Sequence, residues 1–311
     1  MRAHSRPTFV CVHGASSNAR AWGPLQNELA LLGHRSYAVD LPGHGDRAEG
    51  PAAYYRQPQD LAALAADPSP MSGVTLRDNV RHVTEVLRRL APLGPVVLVG
   101  NSLGGLTIGA VAEAAPELVD RLVYLSAYCL ADPAMLTGAW DVVDENLLDA
   151  AVARIAVPLT GESADPAVVR LNWRAAHADP AVFAELKAAV MADSTDRAFG
   201  ALLDTLDPDE NHGVLEPGAL VTAERWGRVP HTYVRLAGDA SITPAVQDHM
   251  IRKADELTPH NPFEVHTLDT SHVGYFSRPA LFAELLAGLV RRAPGVSLPA
   301  VRRGRETPAG G

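Results

Sequence analysis

Short apolar, β-branched runs alternate along the chain with stretches whose apolar residues return every three or four positions. The runs are Thr8–Val12, Ser36–Asp40, Pro95–Val99, Arg121–Ser126, His231–Leu236 and Phe263–Leu268. None alternates cleanly between apolar and polar residues, which predicts strands of a parallel sheet covered on both faces. Between Thr75 and Leu90, the residues Leu76, Val80, Val83, Leu87 and Leu90 fall on one helical face. Thr75 is placed to cap that helix, with Asp78 as its capping-box partner. Leu281, Phe282, Leu285, Leu286 and Leu289 give the last helix a similar stripe. Strand–helix alternation of this kind predicts a doubly wound, mostly parallel α/β fold.

Two stretches break the rhythm. Residues 46–73 are rich in Ala, Pro and Asp and carry Tyr54 and Tyr55. Residues 130–227 hold helical patterns, no convincing sheet strand, and three of the four tryptophans, Trp140, Trp173 and Trp226. A helical insertion between sheet strands predicts a cap over the sheet's C-terminal edge, where open α/β sheets bind ligands. The division expected is a core of residues 1–129 and 228–298, a helical cap of 130–227, and a disordered tail of 299–311. No internal repeat interrupts this plan.

Composition narrows the class. At 311 residues the chain is near the limit for one core, and 47% hydrophobic residues exclude a disordered polar polymer. No apolar run is long enough to span a membrane. A net charge of −9 argues against a nucleic-acid surface. Cys11 and Cys129 are too few for a disulfide framework and sit among apolar residues, as buried free thiols do. Met1–Pro7 is charged but leads into only a short apolar run, so no secretory signal and a cytoplasmic location are expected.

The segment from Pro95 to Val111 carries the most chemistry. Gly100-Asn101-Ser102-Leu103-Gly104 is a G-x-S-x-G sequence with an apolar strand before it and a small-residue helix after it. A serine on such a corner is pushed above the sheet edge as a nucleophile, and the next N–H, that of Leu103, is aimed at a developing oxyanion. A second donor should come from the loop after the first strand, where Val12-His13-Gly14-Ala15-Ser16-Ser17 offers the N–H of Ala15. His13 is expected to orient that loop, and Ser16 to be placed near a substrate oxygen.

A general base must sit on a loop after a late strand. Of twelve histidines, His272 meets that demand; His44, in Leu41-Pro42-Gly43-His44-Gly45, is expected to be a structural imidazole in a turn. Asp239, just after the fifth run, is the expected orienter of His272, with Asp132 and Asp269 as rivals. Tyr128, Trp140, Trp173 and Trp226 are candidate substrate contacts.

With these residues in place, the chain resembles the α/β-hydrolase superfamily over nearly its whole length, and within it the plant-type methylesterase and hydroxynitrile-lyase group with its bacterial relatives. The resemblance rests on His13-Gly14-Ala15 with Trp22, the Leu41–Gly45 turn, and Gly100-Asn101-Ser102-Leu103-Gly104-Gly105. It extends to Leu125-Ser126-Ala127, Gly238-Asp239 followed by Gln247 to Ile251, and Ser271-His272 leading to Ser277-Arg278-Pro279. The order Ser102, Asp239, His272 is the order of that superfamily's triads. The lyases of the group carry Thr at the place of Gly14 and Lys at that of Val273, so the resemblance implies an ester hydrolase and not a cyanohydrin lyase.

Other chemistries fare poorly. Asp207-Pro-Asp209-Glu-Asn211-His-Gly213 lacks the glycine and the terminal glutamate of a calcium loop and is expected to be an acidic loop of the cap. No zinc spacing, P-loop or dinucleotide fingerprint occurs, so no metal and no cofactor are expected. The expected partner is a small-molecule ester of modest, largely apolar character, a methyl ester or lactone, with no nucleic acid and no membrane; a homodimer is compatible with the sequence. Two other roles use the same parts: a thioesterase or acyltransferase on a carrier-bound chain, and a weakly catalytic ligand receptor.

Overall fold

The computed structural model describes residues 6–137, 142–161 and 164–291. Eight strands form in chain order: β1 Thr8–Val12, β2 Arg35–Val39, β3 Val96–Ser102, β4 Arg121–Ala127, β5 Val168–Arg170, β6 Asp209–Asn211, β7 His231–Leu236 and β8 Glu264–Leu268. Six of them make one sheet in the order β2-β1-β3-β4-β7-β8, with every neighbouring pair parallel. The six runs expected from the sequence are these six strands. β5 and β6 were not expected; they pair antiparallel as a separate two-stranded sheet.

The lack of alternation has the anticipated cause in the four central strands. Val10 and Val12 point to one face and pack with the helices Leu76–Leu90, Gly104–Ala114 and Pro244–Leu257. Phe9 and Cys11 point to the other and pack with Gly23–Leu31 and Pro279–Arg291. Both sets must therefore be apolar. The edge strands differ: Arg35 and Tyr37 of β2 and Val265 of β8 are exposed, because a strand with one neighbour has less to cover it.

Thr75 and Asp78 form a capping box at the start of Leu76–Leu90, and Leu76, Val83 and Leu87 are buried along the predicted face. In the last helix Phe282, Leu286 and Leu289 are buried, whereas Leu281 stays exposed at the flank of the stripe. Cys11 and Cys129 are buried and free, and burial pushes both thiols up to about 12. Only a thiolate alkylates readily. Iodoacetamide at neutral pH should leave both unmodified in the native protein and modify both in guanidinium, as intact mass would record; a native adduct would mean that one of these faces opens.

Between β4 and β7 the chain leaves the main sheet. Residues Leu148–Ala153, Trp173–Ala178, Pro180–Val190 and Asp196–Leu203 are helices. The end of this stretch behaves otherwise. Val214, Ala219, Val221 and Trp226 join the core beside Gly104–Ala114, Leu220 bridges to Leu130, and Val221 N–H donates to the Leu130 carbonyl at 2.9 Å. Residues 46–73 fold as two short helices, Ala52–Tyr55 and Leu61–Ala66, over a small core of Ala53, Tyr54 and Leu64. They dock on β5 through Arg170, whose guanidinium donates to the carbonyls of Leu64, Asp67 and Pro68.

Candidate active site

In the sheet, β1 lies between β2 and β3, so the loops leaving β1 and β3 diverge and open a crevice at their C-terminal ends. Ser102 ends β3 with φ +54°, a left-handed conformation that costs a non-glycine residue about 1–2 kcal/mol. Helix Gly104–Ala114 begins two residues later. The corner closes because its neighbours are small. A Cβ on Gly104 would strike the His13 carbonyl oxygen and lie 2.8 Å from that of Val12, and one on Gly14 would lie 2.7 Å from Ser102 Cβ.

His272 Nδ1 lies 2.6 Å from Asp239 Oδ2, with both residues buried. The same oxygen accepts from Ser126 Oγ at 2.5 Å, and Asp239 Oδ1 accepts the N–H groups of Ser241 at 2.7 Å and Ile242 at 3.0 Å. Four donors thus saturate the carboxylate, and the imidazole must present its Nδ1 proton to it. Neither rival acid reaches this place. Asp132 pairs with Lys253 at 3.2 Å, and Asp269 contributes only its carbonyl, to Arg278. The His272 loop is tied to the segment after Pro180–Val190: Val273 N–H donates to Val190 O, Ser271 Oγ bonds Asp193, and Arg278 pairs with Asp193 at 3.2 Å.

Ser102 and His272 line one cavity of about 180 Å³. Gly14, Ala15, Ser16 and Trp173 share its wall, which is otherwise mainly aliphatic: Val152, Leu186, Val190, Leu202 and Leu206, with Phe199 and Tyr275. Tyr275 is held by stacking on Trp22, ring centroids 4.2 Å apart. The N–H groups of Ala15 and Leu103 have no protein hydrogen-bond partner among the described residues. Trp173 donates its indole N–H to the Asp207 carbonyl at 2.9 Å, which fixes its ring in the wall.

Two candidate contacts lie elsewhere. Trp226 is fully buried in the core, stacked on His231 and donating to Tyr124 Oη at 2.9 Å. Tyr128 packs against the core cluster, its N–H donates to Ser102 O, and it is not among the residues lining the cavity. Trp140 lies outside the described residues, as does the tail 299–311.

The loop after β1 is held as expected. His13 Nε2 accepts from Leu41 N–H at 3.1 Å, so its proton is on Nδ1, 2.9 Å from the Gly14 carbonyl. Burial, with His44 beside it, pulls its pKa down to about 3, so it is neutral whenever an ester assay is run.

The residue that the sequence did not bring forward is Glu210. The run from Asp207 to Gly213, expected as an acidic loop of the cap, holds strand β6, and Asp207, Asp209, Glu210 and Asn211 are all buried and bonded. Glu210 Oε2 accepts from Ser16 N–H at 2.8 Å and lies 3.2 Å from His44 Nε2, and the residue also lines the cavity. Burial alone would neutralise both partners. Their mutual attraction prevails, raising His44 and lowering Glu210 from their usual values, which favours the charged forms of both. Three acids in four residues, Asp207, Asp209 and Glu210, are the local signal; Ser16 and His44 are distant in the chain.

A left-handed serine at a strand–helix corner, a His–Asp pair lining the same cavity and N–H groups without a protein partner among the described residues make this a candidate nucleophile-and-base site. A model of the alpha/beta hydrolase family matches residues 9–285, and the chain belongs to that family. It is 24% identical to an inferred chloroplastic methylesterase of Arabidopsis thaliana over 89% of this chain and 70% of that one. It is 23% identical to a pyrethroid hydrolase of Sphingobium wenxiniae over 97% of this chain and 94% of that one. A solved pyrethroid hydrolase from Sphingobium faniae superposes with a TM-score of 0.63 at 21% identity, over 93% of this chain and 98% of that one, and so shares the fold. Among the described residues no helix is long and apolar enough to cross a membrane.

Proposed function

We propose that this carboxylic ester hydrolase cleaves small, largely apolar esters, methyl esters or lactones, through an acyl-enzyme on Ser102. The observation that carries the reading is the left-handed Ser102 facing the same cavity as the Asp239-bound imidazole of His272. Ser102 Oγ attacks the ester carbonyl as its proton passes to His272 Nε2. The carbonyl oxygen, now an oxyanion, accepts the N–H groups of Ala15 and Leu103. His272 then protonates the departing alkoxide, and a water deprotonated by the same imidazole releases the acid. Side chains and water account for every proton.

The aliphatic wall supports the choice of an apolar ester, and its volume a small one. The names of the two relatives, a methylesterase and a pyrethroid hydrolase, point the same way. Loss of cyanide from a cyanohydrin would call for a cation beside the base. Among the described residues lining the cavity there is no lysine or arginine, and Val273 follows His272.

The test is labelling by a fluorophosphonate beside a panel of methyl esters, lactones and thioesters. The wild type should take one label per chain and hydrolyse short apolar esters best, and Ser102→Ala should take none. A folded wild type that resists the probe would remove the nucleophile, and preference for thioesters would remove the substrate class.

A further inference from the structure

The strand that carries Glu210 grips the loop that carries Ala15. Ser16 has φ +52°, unfavourable for a serine, and both of its backbone groups are bound from one segment. Its N–H donates to Glu210 Oε2 at 2.8 Å, and its carbonyl accepts the N–H of Asp207 at 2.8 Å. Asn18, two residues on, donates to Asp207 Oδ2 at 3.1 Å and to the Thr205 carbonyl. Glu210 is itself anchored on its other side: Oε1 accepts its neighbour's N–H, that of Asn211, at 2.9 Å, and Oε2 faces His44. The residues joined lie on the loops after β1 and β2, on β6 and on the loop before it, and all but the half-buried Thr205 are buried.

We infer that Glu210, anchored by His44, is a positioning residue for the oxyanion donor of Ala15. The inference rests on the hydrolase reading above. The physical reason is that the N–H of Ala15 is one peptide away from a residue held against its own backbone preference. Without the carboxylate, Ser16 relaxes toward the common backbone regions and turns the preceding peptide with it. A donor that is still present but misaimed binds the developing oxyanion less well while leaving the ground-state ester alone, so the loss falls on kcat and spares KM. Glu210 also lines the cavity, yet three of its acceptor positions are filled by protein donors, which favours a supporting role over direct contact with substrate.

The variants are Glu210→Leu, which keeps bulk and removes the acceptor, and Glu210→Gln, whose amide oxygen can still take the Ser16 N–H. They are read with the best ester of the panel and with its trifluoromethyl ketone analogue, whose adduct with Ser102 places an oxyanion in the hole. Folded sites are counted by fluorophosphonate titration. For E210L, kcat per folded site should fall about 10- to 100-fold, short of the 10²–10³ typical for deleting a donor outright. The inhibitor constant should rise by the same factor, with KM within about twofold, and E210Q should recover most of the loss. Should E210L fail to accumulate, His44→Phe, which takes away the carboxylate's anchor, is read in the same way. The inference is overturned if kcat and the inhibitor constant of folded variants stay at wild-type values, or if KM moves and they do not. An inert wild type would instead remove the hydrolase reading, and this inference with it.

Discussion

Asp239→Asn should lower kcat for any ester the protein hydrolyses by about 10⁴-fold, the loss typical of triads that keep their shape and lose the tautomer. The reason lies in how the carboxylate is bound. Oδ1 accepts two backbone N–H groups, from Ser241 and Ile242, and neither can turn away. The amide oxygen of an asparagine must therefore take that place, which leaves its NH₂ facing His272 Nδ1 and Ser126 Oγ. Ser126 can adapt, since a hydroxyl both donates and accepts. The imidazole adapts only by moving its proton from Nδ1 to Nε2, and an Nε2 that carries a proton cannot take one from Ser102. All four contacts survive in altered sense, so thermal unfolding should move little while turnover collapses. Steady-state rates beside a melting curve decide the matter. A variant that keeps more than about a tenth of the wild-type kcat would show that His272 does not depend on Asp239.

What the sequence revealed of the site follows a physical rule. Ser102, His272 and Asp239 each sit within about four residues of the end of an apolar run, and Gly14, Gly104 and Gly238 accompany them where backbones converge. Those signals are local. A strand needs apolar residues, a corner needs glycine, and a catalytic group must sit at the end of a strand to reach the crevice. Glu210 and Arg170 have no such signature, since what makes them matter is a partner 194 residues away in one case and 39 in the other. Long-range polar pairing leaves no period in a sequence. Trp226 and Tyr128 teach the complementary point. Both lie in or beside residues 130–227 in the chain, but direction, not position, decides what an aromatic ring touches: Trp226 is wholly buried in the core, and Tyr128 packs half-buried against it. Trp173 points the other way because Asp207 offers its indole an acceptor at the cavity wall.

The largest stability effect is expected at Asp209, a residue remote from the nucleophile. Arg170 and Asp209 face each other across the β5–β6 pair in a bidentate contact, with both bonds at 2.6 Å and both residues almost wholly buried. The remaining guanidinium donors reach the carbonyls of Leu64, Asp67 and Pro68, so this one side chain fastens residues 46–73 to the β5–β6 sheet. Truncating Asp209 to alanine strands a buried cation that has no other ion pair among the described residues. Breaking a buried pair in that way costs about 3–5 kcal/mol, on the order of 10 °C in melting temperature for a chain of this size. Asp209→Asn keeps the volume and one acceptor and should lose less. The damage should also be local at first. Proteolysis under native conditions should open at residues 46–73 in D209A before the sheet gives way, because those two short helices have little core of their own beyond Ala53, Tyr54 and Leu64. Glu210 is the next residue along β6, so the same variant should loosen the Ser16 clamp and lose kcat as well as stability. A D209A protein that melts with the wild type and resists protease equally would mean that water or a shifted carboxylate replaces Asp209 at no cost, and the β5–β6 sheet would then not be what holds this insertion in place.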